Sequence, residues 1–463
     1  MGHATMAEYD VIVVGGGPGG STVSTLVAMQ GHRVLLLEKE TFPRYQIGES
    51  LLPSTVHGIC GLLGVSEELK KAQFMPKRGG TFRWGSSPEP WTFSFAVSAK
   101  FSGTTSKAYQ VERMKFDQIL LDNARHKGVE VRENCSVVDV TESDGRVSGV
   151  VFDDADGIRQ EASARFVVDA SGNRSRIQQG VGGRRIYSDF FKNIALFGYF
   201  EGGKRLHEPN SGNILCAAFD SGWFWYIPLT PELTSVGVVL RRDALKRVQG
   251  NREKALMALI EECPLIAEHL SEARRVQEGP YGEVRVRKDY SYCQEKFSRP
   301  GMLLVGDAAC FIDPVFSSGV HLATYSGLLA ARSINTVLGG VPAIDEKACF
   351  AEYEARYRAE FSRFHDFLVS FYDMHQDEDS YFWSAQKVTN GAGSQLEAFV
   401  ELVGGGSSDE GALFDSSLVE SVLEEGARIQ VQAAFGESFD DEPMRTGGLI
   451  ASTDGMRWAQ PAF

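Results

Sequence analysis

Two hydrophobic patterns divide the chain. The first is a set of short continuous aliphatic runs, at residues 9–14, 32–37, 166–170 and 302–305, which read as strands covered on both faces. A helical spacing joins the first two over 21–31. The second pattern is aromatic and alternating. Over 81–105 it runs through Phe82, Trp84, Trp91, Phe93 and Phe95, and it returns in strand-like runs at 194–200, 213–218, 223–228 and 235–240. Helices are expected at 54–63, 66–72, from Tyr109 to about 127, near 252–262 and at 321–338; strands at 129–133, 136–142 and 149–153 surround a turn at 154–157. Beyond about 345 helix formers dominate. The segment 347–372 carries aromatics at helical spacing, and 395–436 reads as two amphipathic helices around a flexible Gly404-Gly405-Gly406-Ser407-Ser408. Residues from about Asp440 are expected to be irregular and to lie across the body.

The first aliphatic strand runs into Gly15-Gly16-Gly17-Pro18-Gly19-Gly20, which fits G-x-G-x-x-G at Gly15, Gly17 and Gly20. In that pattern Gly15 permits the tight turn, Gly17 lets backbone approach a pyrophosphate, and Gly20 lets helix and strand pack closely. The helix N-terminus offers unpaired N–H groups and partial positive charge. Glu38 ends the second strand, about 20 residues on, where a carboxylate can bind a ribose hydroxyl. Strand, glycines, helix, strand and acid in this order mark a dinucleotide site.

Composition narrows the rest. In 463 residues the hydrophobic share is 43%, the charged share 23% and the net charge −14, values of a globular protein without a basic nucleic-acid or membrane footprint. Seven cysteines (60, 135, 216, 263, 293, 310, 349) never fall in C-x-x-C spacing, which disfavours a disulfide framework and a zinc site and suits a reducing, cytoplasmic setting. No metal ligand set is expected. Nor is a secretory leader, a repeat array or a membrane span, since no apolar run reaches about 18 residues. The acidic stretch 373–379 lacks calcium-loop spacing and reads as solvated surface.

After Glu38 comes Phe42-Pro43-Arg44-Tyr45-Gln46-Ile47-Gly48-Glu49-Ser50-Leu51-Leu52-Pro53, an ordered loop bounded by prolines. It leads back toward the ligand, where Arg44 pairs with phosphate or stays solvated, and Glu49-Ser50 meets a flavin edge. Here the chain resembles the flavin-dependent halogenases, in particular the branch acting on phenols and pyrroles. Four further stretches carry the likeness: Thr81-Phe82-Arg83-Trp84-Gly85, Trp223-Phe224-Trp225-Tyr226-Ile227-Pro228, Gly306-Asp307, and Phe311-x-x-Pro314-x-x-Ser317-x-Gly319. They span roughly residues 8 to 390. The W-x-W-x-I-P run is the most specific, whereas the glycine pattern and Gly-Asp pair are shared with flavin hydroxylases and reductases.

The resemblance implies a catalytic lysine at Lys77, in the loop ahead of the T-F-x-W-G strand. It implies FAD contacts from Lys39, Arg44, Ser50, Arg113, Asp307, Gly319 and Val320, besides Gly15, Gly17, Gly20 and Glu38. Asp169, in the strand 166–172, resembles a second nucleotide-contacting motif or else caps the turn. Ser318 and Gly319 open a helix whose N–H groups form an anion cradle, suited to a halide or to the flavin carbonyl. Trp223 and Trp225 share one strand face by the period of two and form an apolar surface, which the resemblance makes a wall between flavin and substrate and which core packing of aromatics would explain otherwise. His321 reads as a packed histidine.

The fold implied is α/β: a glutathione-reductase-like FAD domain (7–78, 106–185 and 280–345), an inserted antiparallel substrate sheet (79–105 and 186–279) and a C-terminal helical region (346–463). The activity implied is electrophilic halogenation of an electron-rich aromatic ring, a tyrosine-like phenol, free or tethered to a peptidyl carrier protein, in natural-product biosynthesis. Reduced FAD, O2 and chloride or bromide would yield hypohalous acid. With no second dinucleotide unit in the sequence, a separate flavin reductase is the expected source of reduced FAD. Arg241-Arg242 and 285–288 are candidate carrier-docking charges. A flavin aromatic hydroxylase and a non-catalytic flavoprotein that binds a carrier module are the alternatives.

Overall fold

A computed structural model of the chain describes residues 8–84, 89–101, 103–373, 395–408, 410, 413 and 448–461. It is built on two large sheets. The first runs, edge to edge, Ser298–Arg299, Met302–Leu304, Arg159–Asp169, Tyr9–Val14, Val34–Leu37 and Glu130–Arg132. Tyr9–Val14 pairs in parallel with Arg159–Asp169 on one side and with Val34–Leu37 on the other. Parallel strands need crossovers, and the helices of those crossovers cover both faces, so Val11, Ile12 and Val13 are wholly buried.

The crossover helix Pro18–Ala28 is buried along its whole length, packed against helices Arg113–His126 and Ser318–Leu338. It begins three residues before the expected start. Pro18 sits in the first turn, where a missing N–H costs nothing, and Gly17 caps it without a side chain. Its free N–H groups therefore point out of the sheet edge rather than into a cap.

The second sheet has nine strands. Its main path is Cys310–Phe311, Arg285–Gln294, Arg185–Glu201, Leu233–Leu240, Gly222–Pro228, Ile214–Phe219, Gly79–Arg83 and Trp91–Ser94. All neighbours on this path are antiparallel except Ile214–Phe219 with Gly79–Arg83, the join between its two sequence segments. The face bearing Phe224 and Tyr226 is covered by helices Arg252–Glu261 and Pro264–His269 in a separate core with Leu196, Val236 and Val238. The face bearing Trp223 and Trp225 turns toward the first sheet. With both faces occupied, the run 222–228 reads as nearly continuous apolar sequence.

Several elements differ from the sequence expectation. Arg285–Gln294 and Cys310–Phe311 belong to the second sheet, although 280–345 was assigned to the FAD portion. Arg185–Glu201 is one long strand that starts well before residue 194 and bends at an irregularity between Tyr187 and Lys192. Lys77 is not in a loop: it ends the strand Met75–Lys77, paired with Ala108–Gln110. That pairing also takes Tyr109 out of the expected helix, which starts at Arg113.

In the C-terminal region, helix Glu346–Asp373 is followed by Gln395–Val403. The expected flexible glycines are buried and bonded instead. Ser54 N–H donates to Gly404 O at 3.3 Å, and a Cβ on Gly405 would lie 2.1 Å from Ser54 Oγ. Most of the second expected helix and the acidic stretch from 374 on lie outside the described residues. The described part of the tail, 448–461, is not helical. Ile450–Ala451 and Trp458–Ala459 form a small hairpin laid across the body, with Trp458 1% exposed and its Nε1–H donated to Ser333 Oγ at 2.8 Å.

Candidate functional site

A long cleft separates the two sheets, with an empty volume of ≈ 1980 Å³ including the solvent at its mouth. One end is the glycine turn. Gly15 has φ +102, and a Cβ there would strike Ala170 O at 2.5 Å, so the turn requires glycine. A Cβ on Gly20 would lie 1.9 Å from Gly15 O, the close helix–strand approach the motif predicts. Glu38 lines the cleft while its carboxylate accepts from Gly16 N–H at 2.7 Å and Glu40 N–H at 2.9 Å. Asp169 caps the neighbouring turn, accepting from the backbone and hydroxyl of Ser171 and from Ser175. It does not line the cleft; Ala170 and the four residues after it do.

Arg44 lies beside Gly17, with Nη2 3.4 Å from where a Cβ would stand. Its guanidinium is not solvated but pairs with the buried Asp117 at 3.1 Å. Arg113 grips the same carboxylate through Nε at 2.7 Å and Nη2 at 2.9 Å, and its Nη1 donates to Ile47 O at 2.6 Å. Two guanidiniums thus meet on one buried carboxylate beside the helix N-terminus, and Arg44 Nε also lies 3.5 Å from the exposed Glu40 carboxylate. Asp307 lines the cleft further along. Burial pushes its carboxyl up to about 6 against the pull of Arg113 and Arg185.

The middle of the cleft is closed by Glu49, Ser50, the two tryptophans and the loop 314–320. Ser50 Oγ and Glu49 Oε2 are buried without a hydrogen bond, as is Ser318 Oγ. Ser317 takes a left-handed φ of 60 and starts helix Ser318–Leu338 with no side-chain cap. Gly319 and Val320 line the cleft, and a Cβ on Gly319 would meet nothing within 4 Å. Trp223 and Trp225 both line the cleft, 2% and 6% exposed, with ring centroids 6.2 Å apart. Trp225 Nε1–H donates to Ser235 Oγ at 3.2 Å, and its ring lies over Gly237, where a Cβ would come within 2.1 Å. Trp223 Nε1–H donates to Tyr372 OH at 2.5 Å. That hydroxyl donates to Asp313 Oδ2 at 2.9 Å, which also accepts from Asn193 at 3.2 Å.

Lys77 lies beyond this wall and does not line the cleft. Cross-strand register sets Phe197, Gly237, Trp225, Cys216 and Phe82 in one row, and Lys77 and Cys216 are close enough to perturb each other's titration. The amine is 2% exposed, donates to Leu51 O at 3.0 Å and sits 5.5 Å from the Phe95 ring centre. Burial lowers its pKa from 10.5 to about 7.

Of the residues expected from sequence, one cleft therefore gathers Gly15, Gly17, Glu38, Lys39, Arg44, Ser50, Arg113, Asp307, Gly319, Val320, Trp223 and Trp225. Gly20 supports it from behind, and Ser318 is buried next to it. His321 is a packed residue, as expected: Nδ1 meets Ser54 Oγ at 3.0 Å and Nε2 meets Glu360 at 2.9 Å. Neither the shared Asp117 nor the Asn193–Asp313–Tyr372 clamp is foreseen from the sequence. Of the candidate docking charges, Arg287 and Lys288 line the cleft, Arg285 covers the Tyr45 ring at 3.9 Å, and Arg241 donates to Asp220 O.

An uncapped helix N-terminus, a cradle kept open by glycines, guanidinium donors in the lining and buried orphan oxygens fit a bound dinucleotide with a flavin in the middle of the cleft. Fold and cleft together define an FAD-dependent oxidoreductase. The family model described as Tryptophan halogenase matches residues 10–104 and 97–434. The chain belongs to that family of flavin-dependent halogenases, and is thus an enzyme. Among its relatives, the Tryptophan 2-halogenase of Chondromyces crocatus is 34% identical over 384 residues, 82% of this chain and 71% of that protein. The 1H-pyrrole-2-carbonyl-(peptidyl-carrier protein) brominase of Pseudoalteromonas luteoviolacea is 32% identical over 336 residues, 72% of this chain and 79% of that protein. The solved myxobacterial chondrochloren halogenase is 54% identical with a TM-score of 0.80, covering 97% of this chain and 99% of the other. No helix among the described residues is long and apolar enough to cross a membrane.

Proposed function

We propose that this halogenase makes hypohalous acid in the cleft and that Lys77 directs it onto an electron-rich aromatic ring, a tyrosine-like phenol presented free or on a peptidyl carrier protein. Bound reduced FAD supplies the oxygen activation; every other task falls to the chain. The helix entry at Pro18 holds the pyrophosphate, with the Arg44 guanidinium beside Gly17 as a further donor. Asp307 and Glu38 accept from sugar hydroxyls. The Ser318 hydroxyl and the N–H groups at Gly319 hold chloride or bromide against the positive end of a 21-residue helix. Trp223 and Trp225 keep the aromatic substrate off the flavin, so that only the small oxidant passes. Lys77, near neutrality and desolvated, hydrogen-bonds the oxidant or is halogenated at Nζ.

The observation that carries this reading is the position of Lys77. A buried amine with no anionic partner among the described residues stands one strand pair past the two indoles, where an oxidant-handling role is open. The phenol is favoured by the sequence likeness, and the carrier by the brominase relative, named for a carrier-bound pyrrole. The relative named Tryptophan 2-halogenase supports indole as a second acceptor. A separate reductase supplies reduced FAD. The test is mass spectrometry of products formed with reduced FAD, O2 and bromide from free tyrosine, carrier-loaded tyrosine and tryptophan. A brominated phenol is the expected result. Hydroxylated product alone overturns the reading, and brominated tryptophan alone replaces the acceptor.

A further inference from the structure

Glu49 is a carboxylate in the cleft wall whose two oxygens have different surroundings. Oε1 accepts from Tyr199 OH at 2.8 Å, and Tyr199 OH lies 2.6 Å from Tyr45 OH. Oε2 is buried with no hydrogen bond. Glu49 is 2% exposed and Tyr199 is fully buried, whereas Tyr45 is only partly buried, its ring under the Arg285 guanidinium. Both Glu49 and Tyr45 line the cleft. An unbonded buried carboxylate oxygen is costly in a native fold, and one on a residue that lines a ligand cavity is accounted for by what it does when the cavity is filled.

We propose that Tyr45, Tyr199 and Glu49 form a proton relay, with Glu49 Oε2 as its terminal donor at the flavin. The proposal rests on the halogenation reading above. In that reaction reduced FAD, O2, a halide ion, one proton and an aromatic C–H give FAD, an aryl halide and two waters. One proton per turnover must therefore come from solvent, into a cleft the bound cofactor closes. The relay supplies it without any redox change. The Oε2–H bond breaks as its proton passes to the oxygen being reduced. Oε1 then takes the Tyr199 proton, Tyr199 takes that of Tyr45, and Tyr45 is recharged from water. Rotation of the carboxyl and hydroxyls resets the chain.

The surroundings suit this task. Burial raises the Glu49 carboxyl to about 7, against Ser235, Tyr199 and Arg113, which favour its ionised form, and together with Glu112, which opposes it. An acid balanced near neutrality both gives and regains its proton readily. Tyr281, 4.4 Å from the Tyr199 ring, completes the titratable groups facing it, and its hydroxyl is turned to Glu112. Ser235, which favours the ionised Glu49, accepts from the Trp225 indole N–H through its Oγ. A purely structural Glu49 would be a clamp for that ring.

Glu49→Gln keeps the shape but cannot titrate, Tyr199→Phe cuts the relay with Glu49 intact, and Tyr45→Phe removes its entry. Two measurements decide. In the enzyme without substrate or cofactor, the infrared carboxylic-acid C=O band should titrate with a midpoint near 7 in wild type and vanish in Glu49→Gln. In turnover, Glu49→Gln and Tyr199→Phe should lower kcat about 100-fold. Both should flatten the limb of the pH profile near 7 and leave KM for the aromatic and FAD affinity within about twofold. Tyr45→Phe should show a smaller loss with the same signature. A wild-type pH profile and kcat in Glu49→Gln, a missing infrared titration, or a deficit confined to FAD affinity or Trp225 position would overturn the relay. A wild type that makes no halogenated product refutes the halogenation reading instead, and the infrared titration still reports on Glu49.

Discussion

Replacing Lys77 by methionine should destroy halogenation and stabilise the fold at the same time. The amine is normally half-deprotonated at 10.5 and here at about 7. At about 1.4 kcal/mol per tenfold in proton affinity, burying it costs the folded state about 4–5 kcal/mol at neutral pH. Methionine of similar length removes that cost. It leaves Leu51 O without its donor, a loss of about 1–3 kcal/mol, so the net gain is about 1–4 kcal/mol. At about 2.1 cal/mol/K per residue the unfolding entropy of the chain is about 1 kcal/mol/K, and Tm should rise by about 1–4 °C at pH 7. The sign of the pH dependence is diagnostic. The unfolded chain keeps the lysine proton up to 10.5 while the folded one releases it near 7. Wild-type stability should therefore climb relative to the variant between those values, and the advantage of methionine should be largest below pH 7. Calorimetry from pH 6 to 10, with FAD titration by flavin fluorescence and product analysis alongside, checks all of this. A variant less stable than wild type, with a pH-independent difference, would show the amine is not desolvated. Retained halogenation would refute its chemical role.

Three further outcomes follow from the wall and the cradle. Trp225→Ala should divert oxidant, raising hydroxylated product or released peroxide several-fold over wild type in a peroxide-trapping assay; an unchanged product ratio counts against the wall. Gly237→Ala forces a Cβ to within 2.1 Å of the Trp225 ring and should raise peroxide in the same way; unperturbed coupling would mean that the ring position is immaterial. Ser318→Ala removes one hydrogen bond to an anion, typically about 1.5–3 kcal/mol, so KM for chloride should rise about 10-fold or more at constant FAD affinity. An unchanged halide KM would place the halide elsewhere.

What the sequence makes legible is local. The glycine turn, the first strands and the shared face of Trp223 and Trp225 all follow from periodicity within a dozen residues. Lys77 is read from its motif but not its setting: a three-residue strand containing Pro76 has no periodicity, and its partner Ala108–Gln110 is distant in sequence. The membership of Arg285–Gln294 depends on pairing with Arg185–Glu201, which only the three-dimensional register decides. The polar network hides for the same reason, because Arg44 meets Asp117 across 73 residues and Glu49 meets Tyr199 across 150. Gly404 and Gly405 mislead in another way. Glycine is there because Phe101, Ser54 and His321 leave no space for a Cβ, and composition cannot separate close packing from flexibility.

If Trp223 and Trp225 form the proposed barrier, the row Phe197, Gly237, Trp225, Cys216, Phe82 is what holds it in place. Each member is set by backbone pairing, and Phe82 continues it to Trp91, stacked at 5.1 Å. Side chains in a sheet change face with every residue, so a slip of one position would turn Trp223 and Trp225 into the core under Arg252–Glu261 and bring Phe224 to the cleft. The wall is thus as rigid as the sheet that carries it, and Gly237 gives the Trp225 ring its bed. The same sheet positions the far side, because Gly79–Arg83 follows directly from the Lys77 strand. Flavin cleft, wall and amine are spaced by strand register rather than by loops. For an oxidant that must travel before it reacts, that spacing is what a fixed path requires.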